Sequence, residues 1–193
     1  MALSGIAPGA ATDRHEVVRR RAVFLDRDGV INRAIVRGGK PYAPTSLDAL
    51  EILPGVAEAL QRLRAAGFVN VIVTNQPDVG AGKLAREIVE AMHQRLRQAL
   101  AIDAVKACFH TEAENCPCRK PKPGMILDAS RELGIDPGTS YLVGDRWRDV
   151  EAAQAAGCKA FFIRYGYAEE MPADPYVAVN SLAEAADIIL RSN

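Results

Sequence analysis

The sequence has no excess of charge of either sign and no long hydrophobic run. It carries 24 basic and 24 acidic side chains, whereas nucleic-acid and membrane-surface binders normally show a basic excess on one face. No stretch approaches the roughly 20 apolar residues of a membrane-spanning helix, and residues 1–20 lack the apolar centre of a secretory signal. We therefore expect a cytoplasmic protein with no nucleic-acid or membrane partner. We interpret 1–20 as a mobile arm ahead of a single, monomeric domain at 21–193.

Cysteine is also scarce, with only four residues in the chain. Few cysteines in a reducing compartment argue against a disulfide framework. Three of them cluster with a histidine in the spacing C-x-H, five residues, C-x-C, and three thiolates with one imidazole are a usual tetrahedral ligand set for zinc. The spacing predicts a structural zinc loop at 108–118 that orders the following residues, Arg119 and Lys120. The expected zinc ligands are Cys108, His110, Cys116 and Cys118.

Beyond residue 21, short apolar runs alternate with longer helical patterns. The strand-like runs are AVFLD, VNVIVTN, AVKACFH, SYLVGD and KAFFIRYG, and the helical patterns include PGVAEALQRLRAAG and LAREIVEAMHQRLRQAL. Continuously apolar strands separated by helices indicate a parallel sheet that is covered on both faces. The pattern therefore predicts a doubly wound, Rossmann-like α/β domain.

Polar residues follow the apolar part of several predicted strands. Asp26 and Asp28 follow the first strand, Thr74 and Asn75 end the second, and Asp145 follows the fourth. In such sheets ligands bind outside the carboxyl ends of the strands. Two carboxylates one residue apart repel each other unless a cation lies between them. We therefore expect these side chains to form one metal-dependent site.

This set of residues suits attack by a carboxylate on phosphorus. The attack requires a cation to neutralise the phosphate oxygens, and Mg²⁺ favours carboxylate, water and phosphate ligands. We interpret Asp26 as the nucleophile and Asp28 as the general acid and base. Thr74 and Lys120 would supply a hydrogen-bond donor and a fixed positive charge to the phosphoryl oxygens. The expected magnesium residues are Asp26, Asp28 and Asp145, with Asp149 orienting the metal shell.

Four motifs carry a resemblance to a known family. FLDRDGVIN, VTNQ, RKPKPGM and VGDRWRDVEAA resemble, in the same order, the haloacid dehalogenase superfamily of aspartate-nucleophile phosphotransferases. The resemblance covers residues 22 to about 166 and implies hydrolysis through an aspartyl-phosphate intermediate. Dehalogenases of that superfamily lack the second aspartate of the first motif, so Asp28 points to phosphoester chemistry. No segment between the predicted strands is long enough for a cap domain, and we expect a capless enzyme.

Within the superfamily, FLDRDGVIN together with the zinc-loop pairs is similar to the D-glycero-D-manno-heptose-1,7-bisphosphate 7-phosphatases. The chain departs from that group after VTNQ, where it reads PDVGAG instead of Ser-Gly followed by Ala-Arg-Gly. Histidinol-phosphate phosphatases share the zinc loop, and they remain an alternative together with other small sugar or polyol phosphate phosphatases. A different class of protein, a non-enzymatic zinc-loop binding module, is a remote alternative because the catalytic set is intact.

The substrate is expected to be a small phosphorylated molecule chosen by the loops. Glu112 and Glu114 could hold the ammonium group of histidinol phosphate, whereas a second phosphate would need basic partners. The candidate substrate-binding residues by position are Asn32, Arg37, Lys40, Asn75, Gln76, Arg119 and Arg146.

Overall fold

The structure, a computed structural model, describes residues 19–192, so the interpretation of 1–20 as a mobile arm lies almost wholly outside the described residues. Arg20 is described, and it pairs in parallel with Ile135. Its N–H donates to the Gly134 carbonyl at 2.8 Å, and its carbonyl accepts from the Asp136 N–H at 2.9 Å. Within 19–192, no helix has both the length and the apolar character needed to cross a membrane.

A parallel sheet forms the centre of the molecule. Its strands are β1 (Ala22–Leu25), β4 (Val69–Asn75), β5 (Ala104–Cys108), β6 (Tyr141–Gly144), β7 (Lys159–Ile163) and β8 (Val177–Val179). Within residues 19–192 these six strands lie in the order β5-β4-β1-β6-β7-β8, and every adjacent pair is parallel. From the central β1 the chain first adds β4 and β5 on one side, and then adds β6, β7 and β8 on the other side. Ligands bind at this reversal point in doubly wound folds.

Helices cover both faces of the sheet. They are α1 (Val56–Ala65), α2 (Pro77–Gly80), α3 (Arg86–Ala99), α4 (Gly124–Leu133), α5 (Trp147–Ala156) and α6 (Leu182–Arg191). One apolar core contains Val23 and Leu25 with buried residues of α1, α3 and α6. The other contains Ala22 and Phe24 with buried residues of α4 and α5. Both sides of β1 are therefore buried, which explains its unbroken apolar run and confirms the predicted doubly wound α/β fold.

The structure also contains elements that the alternation of patterns did not indicate. A separate antiparallel hairpin pairs β2 (Ile35–Arg37) with β3 (Lys40–Tyr42). Its turn residues Gly38 and Gly39 have φ values of 56° and 75°, and a two-residue turn with two positive φ values requires this freedom. The final β8 was missed because a three-residue strand is too short to show a period. The helix α6 was also missed, although Leu182, Ala185, Ala186 and Ile189 recur at helical spacing.

Candidate active site

Three carboxylates converge where β1 and β6 end. Asp26 directly follows β1, and its N–H donates to the Val143 carbonyl of β6 at 2.9 Å. Asp145 directly follows β6, and Asp149 lies in the first turn of α5. Oxygen atoms of these three carboxylates lie within 4.8 Å of one another, and all three residues are buried. The strand order places them at the reversal point of the sheet.

Lys120 is inserted among these carboxylates and is only 3% exposed. Its Nζ donates to Asp26 Oδ1 at 2.8 Å, to Asp149 Oδ1 at 2.5 Å and to the Val73 carbonyl at 2.8 Å. Burial alone lowers the pKa of a lysine, but the carboxylates of Asp149 and Asp26 outweigh it and raise the pKa of Lys120 above its ordinary value. The side chain is therefore a permanent cation within the site.

The site still carries an excess of negative charge. Among the described residues, both oxygens of Asp145 are buried and accept no hydrogen bond. Burial, and then the charges of Asp26 and Asp149, raise the pKa of Asp145 well above its ordinary value. Burial also raises the pKa of Asp26 to about 6. With all three carboxylates ionised, one ammonium group would leave about two negative charges uncompensated, and the raised pKa values of Asp145 and Asp26 reflect this repulsion. The residues present therefore fit a hard divalent cation such as Mg²⁺, which would relieve it.

Two glycines make room for this cluster. Gly29 has φ of 95°, and a Cβ at this position would lie 1.9 Å from Asp145 Oδ2. A Cβ on Gly144 would lie 2.1 Å from Asp149 Cβ. Neither contact is sterically possible, so any larger residue at either position would displace one of the carboxylates.

Asp28 stands apart from the carboxylate cluster, although the sequence also assigned it to magnesium. Arg27 holds it with two bonds, Nε to Oδ1 at 3.0 Å and one terminal nitrogen to Oδ2 at 2.9 Å. Asn32 Nδ2 donates to Oδ1 and Gln76 Nε2 to Oδ2, each at 2.9 Å. The side chain of Asp28 is still 14% exposed and lines the cleft described below. This geometry fixes one carboxylate that can meet a substrate without sharing the metal cluster.

Sequence reasoning missed the support behind Asp28. Arg27 is completely buried, and its other terminal nitrogen lies 3.2 Å from His93 Nε2. A guanidinium can only donate, so Nε2 accepts and the imidazole is neutral. Burial, and then the charge of Arg27, lower the pKa of His93 to about 4. An arginine between two aspartates in an apolar motif was the available signal.

The polar residues at the end of β4 have different partners. Gln76 Nε2 donates to Thr74 Oγ1 at 2.9 Å as well as to Asp28. Asn75 Nδ2 donates to the Lys120 carbonyl at 3.0 Å, and Asn75 Oδ1 accepts from the Lys120 N–H at 3.1 Å. The Asn75 amide therefore positions the backbone of Lys120, whereas the sequence had assigned it to the substrate.

The loop after β5 gathers three thiols and one imidazole. The sulfur atoms of Cys108, Cys116 and Cys118 lie 3.1 to 3.5 Å apart, and His110 Nδ1 lies 3.3 Å from Cys118 Sγ. None of these cysteines forms a disulfide. A tetrahedral site with Zn–S bonds of about 2.3 Å has S···S edges of about 3.8 Å, so these four side chains could hold such a metal with small shifts.

This loop leads directly into Lys120. The Gly124 N–H at the start of α4 donates to the Pro117 carbonyl at 3.1 Å, and a Cβ on Gly124 would lie 2.3 Å from that oxygen. Arg119 contacts the loop through a long bond of 3.4 Å to the His110 carbonyl. The loop is thus packed against α4, and Lys120 follows its last cysteine by two residues.

A cleft of about 410 Å³ opens over the carboxylates. Of the predicted substrate residues, Lys40, Arg119 and Arg146 line it, together with Asn75 and Gln76. Asn32 is completely buried behind Asp28, and Arg37 lies exposed on β2 outside the cleft. Both positions differ from the predicted substrate contacts. The residues of the cleft that sequence reasoning did not assign include Tyr42, Asp78, Arg148 and Glu169.

Arg146 is already paired within the cleft. Its Nε donates to Glu169 Oε2 at 2.8 Å, and a terminal nitrogen bonds to the second oxygen of the same carboxylate. Glu169 is part of the segment after β7, and the Ala168 N–H of that segment donates to the Gly39 carbonyl of the hairpin turn at 2.8 Å. The segment therefore neutralises Arg146 while it connects α5 to the hairpin.

The chain matches the family model described as haloacid dehalogenase-like hydrolase over residues 21–157. A relative from Pasteurella multocida, named D-glycero-beta-D-manno-heptose-1,7-bisphosphate 7-phosphatase, is 37% identical over 151 residues, which cover 72% of this chain and 79% of the relative. A Mycobacterium tuberculosis relative, named for the alpha anomer of the same substrate, is 40% identical over 148 residues, 72% of this chain and 74% of its own.

Solved structures agree with these matches. The D,D-heptose 1,7-bisphosphate phosphatase from Bordetella bronchiseptica, in complex with magnesium and phosphate, superposes with a TM-score of 0.79 at 31% identity, over 90% of this chain and 99% of that one. The enzyme of the same name from Burkholderia thailandensis gives a TM-score of 0.63 at 30% identity, over 89% and 99%. The fold, the motif order and these similarities together show that the chain belongs to the haloacid dehalogenase-like hydrolases.

Proposed function

We propose that the protein is a magnesium-dependent phosphatase that removes the 7-phosphate of a D-glycero-D-manno-heptose 1,7-bisphosphate. The observation that carries the reaction type is the buried cluster of Asp26, Asp145 and Asp149 around Lys120, with Asp28 held separately at the same cleft. The names of the relatives support the substrate.

The proposed chemistry divides the reaction between two carboxylates, Asp26 as the nucleophile and Asp28 as the general acid and then the general base. Lys120 occupies Asp26 Oδ1, so Oδ2 attacks phosphorus and forms an aspartyl phosphate as the ester P–O bond breaks. Asp28 gives its proton to the departing sugar oxygen, then takes a proton from the water that attacks the phosphorus and frees Asp26. Lys120 and Thr74 stabilise the phosphoryl oxygens. A magnesium ion held by Asp26 and Asp145, with Asp149 beside them, would neutralise charge on the phosphate.

The cysteine and histidine cluster is proposed as a structural zinc site. Cys108, His110, Cys116 and Cys118 supply four ligands, which completes a closed tetrahedral site and leaves no position for a substrate. Its role would be to fix the loop that precedes Lys120.

The cleft offers basic partners for an anionic remote group, beside the carboxylates of Asp78 and Glu169. Lys40, Arg119 and Arg148 line the cleft, whereas Glu112 and Glu114 do not. Glu114 accepts from the Thr111 N–H at 2.6 Å and from the Thr111 hydroxyl at 2.9 Å. This glutamate caps its own loop, so the geometry gives the histidinol-phosphate alternative no carboxylate from the zinc loop.

A substrate panel tests the proposal. Both anomers of the heptose bisphosphate, histidinol phosphate and p-nitrophenyl phosphate are assayed with magnesium and with EDTA. We expect one or both heptose anomers to give the highest kcat/KM and EDTA to abolish turnover. Asp26→Asn should abolish activity, whereas Asp48→Asn, at an exposed position, should not alter it. Faster hydrolysis of histidinol phosphate would overturn the substrate, and wild-type activity in Asp26→Asn would overturn the mechanism.

A further inference from the structure

His93 is a polar residue on the buried face of α3. It lies on that face with Val89, Met92 and Leu96 and is only 8% exposed. Burying a polar group in apolar surroundings costs free energy unless the group is hydrogen-bonded. Within residues 19–192, the one hydrogen-bond partner of the His93 side chain is Arg27, 66 residues away along the chain. This contact is therefore the interaction that offsets the burial of His93.

The guanidinium of Arg27 is held at two edges. Nε and one terminal nitrogen form the fork to Asp28, at 3.0 and 2.9 Å, and the other terminal nitrogen lies 3.2 Å from His93 Nε2. Arg27 is completely buried, and in the described part of the chain no third side chain hydrogen-bonds to it. A guanidinium is planar and rigid, so a restraint at the His93 edge also fixes the direction of the Asp28 edge.

The partners of Asp28 show why this restraint matters. Arg27 and Asn32, which donate to Asp28, belong to the same short turn, in which the Arg27 carbonyl accepts from the Asn32 N–H at 3.0 Å. Gln76 reaches Asp28 from the end of β4. The contact between Arg27 and His93 ties this turn to a 14-residue helix, α3, whose buried face packs in the core.

We propose that His93 is a positioning residue for proton transfer by Asp28 and that it acts through Arg27. The inference rests on the proposed function, which makes Asp28 the general acid and base. His93 does not line the cleft. It accepts a hydrogen bond from Arg27, and the Arg27 fork then holds the plane of the Asp28 carboxylate towards the departing oxygen. A misplacement of about 1 Å can cost about 100-fold in rate.

The test compares two substrates of similar size whose leaving groups differ in basicity. Phenol is a more basic leaving group than p-nitrophenol, so phenyl phosphate depends more strongly on protonation of the departing oxygen. For an aspartyl-phosphate mechanism, kcat/KM covers only the steps up to departure of the leaving group. Differences in kcat/KM between the two substrates therefore report on the acid and not on hydrolysis of the common intermediate.

His93→Phe removes the acceptor and keeps an aromatic ring. General acid catalysis contributes about 10²- to 10⁴-fold, and a misaligned acid loses part of that factor. We expect kcat/KM to fall about 10-fold or more for phenyl phosphate and less than about threefold for p-nitrophenyl phosphate. Asp28→Asn, which removes the acid itself, should show the largest selective loss on phenyl phosphate. His93→Leu is the second variant, in case the larger ring disturbs the core.

A rescue and a double variant test whether the effect passes through Arg27. His93→Gln keeps an oxygen that can accept from Arg27, so its kcat/KM should stay within about threefold of wild type on both substrates. In an Arg27→Gln background, His93→Phe should add no further selective loss, because the two residues act as one unit. A full additional loss in that background would contradict the proposal.

Two control variants separate positioning from stability. Gln94→Leu changes the exposed neighbour of His93 on α3 and should leave both kcat/KM values unaltered. Ile189→Val removes one methyl group from the core, so it should lower the melting temperature without a selective loss on phenyl phosphate. Equal losses of His93→Phe on the two substrates, or no loss on either, would overturn the proposal.

This inference and the proposed function fail in different ways. A selective loss in Asp28→Asn without one in His93→Phe would overturn only the role of His93. Absence of a selective loss in Asp28→Asn would overturn the acid role of Asp28, and the role of His93 with it. If the wild type did not hydrolyse the heptose bisphosphate, the proposed substrate would be wrong, but the comparison of the two aryl phosphates would still decide the role of His93.

Discussion

Replacing Lys120 with methionine would test how strongly the active site depends on one buried cation. Methionine preserves much of the side-chain length and removes the charge. The change deletes the bonds to Asp26, Asp149 and the Val73 carbonyl. These acceptors lie in a site where Asp145 already has two unpaired, buried oxygens. The variant must therefore bury three neighbouring carboxylates without a protein cation among them.

The expected magnitude follows from burial. Removing one partner of a buried ion pair costs about 3 to 5 kcal/mol, because the remaining charge is desolvated and unpaired. The matched control is Lys106→Met, whose ion pair with Glu132 lies at the surface, with side chains 22% and 62% exposed. A surface pair contributes about 0 to 1 kcal/mol. Without magnesium at pH 7, the free energy of unfolding should fall by about 3 to 5 kcal/mol in Lys120→Met and by less than about 1 kcal/mol in Lys106→Met.

The pH dependence of this loss has a definite sign. The folded-state pKa of Asp26 is about 6, against a usual value of 3.8, and removal of Lys120 raises it further. Below this raised pKa the folded state holds a proton that the unfolded state releases, so stability increases as pH falls from 7 towards 4. The deficit of Lys120→Met should therefore shrink over that range.

Urea unfolding followed by circular dichroism, without and with added magnesium, measures these free energies. A magnesium ion should restore part of the stability of Lys120→Met, since it replaces missing positive charge, while turnover stays absent. If Lys120→Met and Lys106→Met lost the same free energy of unfolding at pH 7, the reasoning from the buried cluster would be wrong.

Three further predictions concern the surrounding groups. Asp145→Asn should abolish turnover and the magnesium-induced rise in melting temperature. The stability of the metal-free protein should not fall, because the change removes repulsion among buried carboxylates, and a lower melting temperature without metal would contradict this. Arg27→Gln should lower kcat, since Asp28 loses two donors, yet leave the magnesium-induced rise unchanged; an unaltered kcat would refute the assignment. Elemental analysis should find about one zinc per chain in the wild type and much less in Cys118→Ser. The melting temperature of Cys118→Ser should also lie below that of the wild type. A wild type without zinc would exclude the proposed site.

Much of the fold could be predicted because β1, β4, β6 and β7 are buried along almost their whole length and because helices alternate with the strands of the sheet. The pattern failed where burial is one-sided or brief. The hairpin β2–β3 lies outside the sheet, with Arg37 and Lys40 exposed. β8 has only three residues. Neither segment is long enough to show a period, so only tertiary contacts reveal it.

The residues of the site were predictable as a set, but their partners were not. Strand ends indicated Asp26 and Asp145, because carboxyl ends of parallel strands share one edge. Pairing depends on side-chain direction, which the sequence does not encode locally. Asn75 therefore faces the Lys120 backbone, and Arg146 faces Glu169. A charged residue assigned to a substrate by position can already be neutralised by a carboxylate far away in sequence.

Lys120 links the buried carboxylate cluster to the loop that carries the thiol cluster. Its side chain lies between Asp26 and Asp149, whereas its backbone is held from β4 by Asn75 and follows Cys118 by two residues. A long side chain loses conformational entropy when it is fixed among buried carboxylates. An unanchored loop would add the conformational entropy of its own backbone to that loss. Anchoring the loop at the thiol cluster and at Asn75 fixes the backbone before the ammonium group is placed. The ordered backbone of this loop therefore holds the Lys120 ammonium group beside Asp26, the proposed nucleophile, and so sets the positive charge next to that carboxylate.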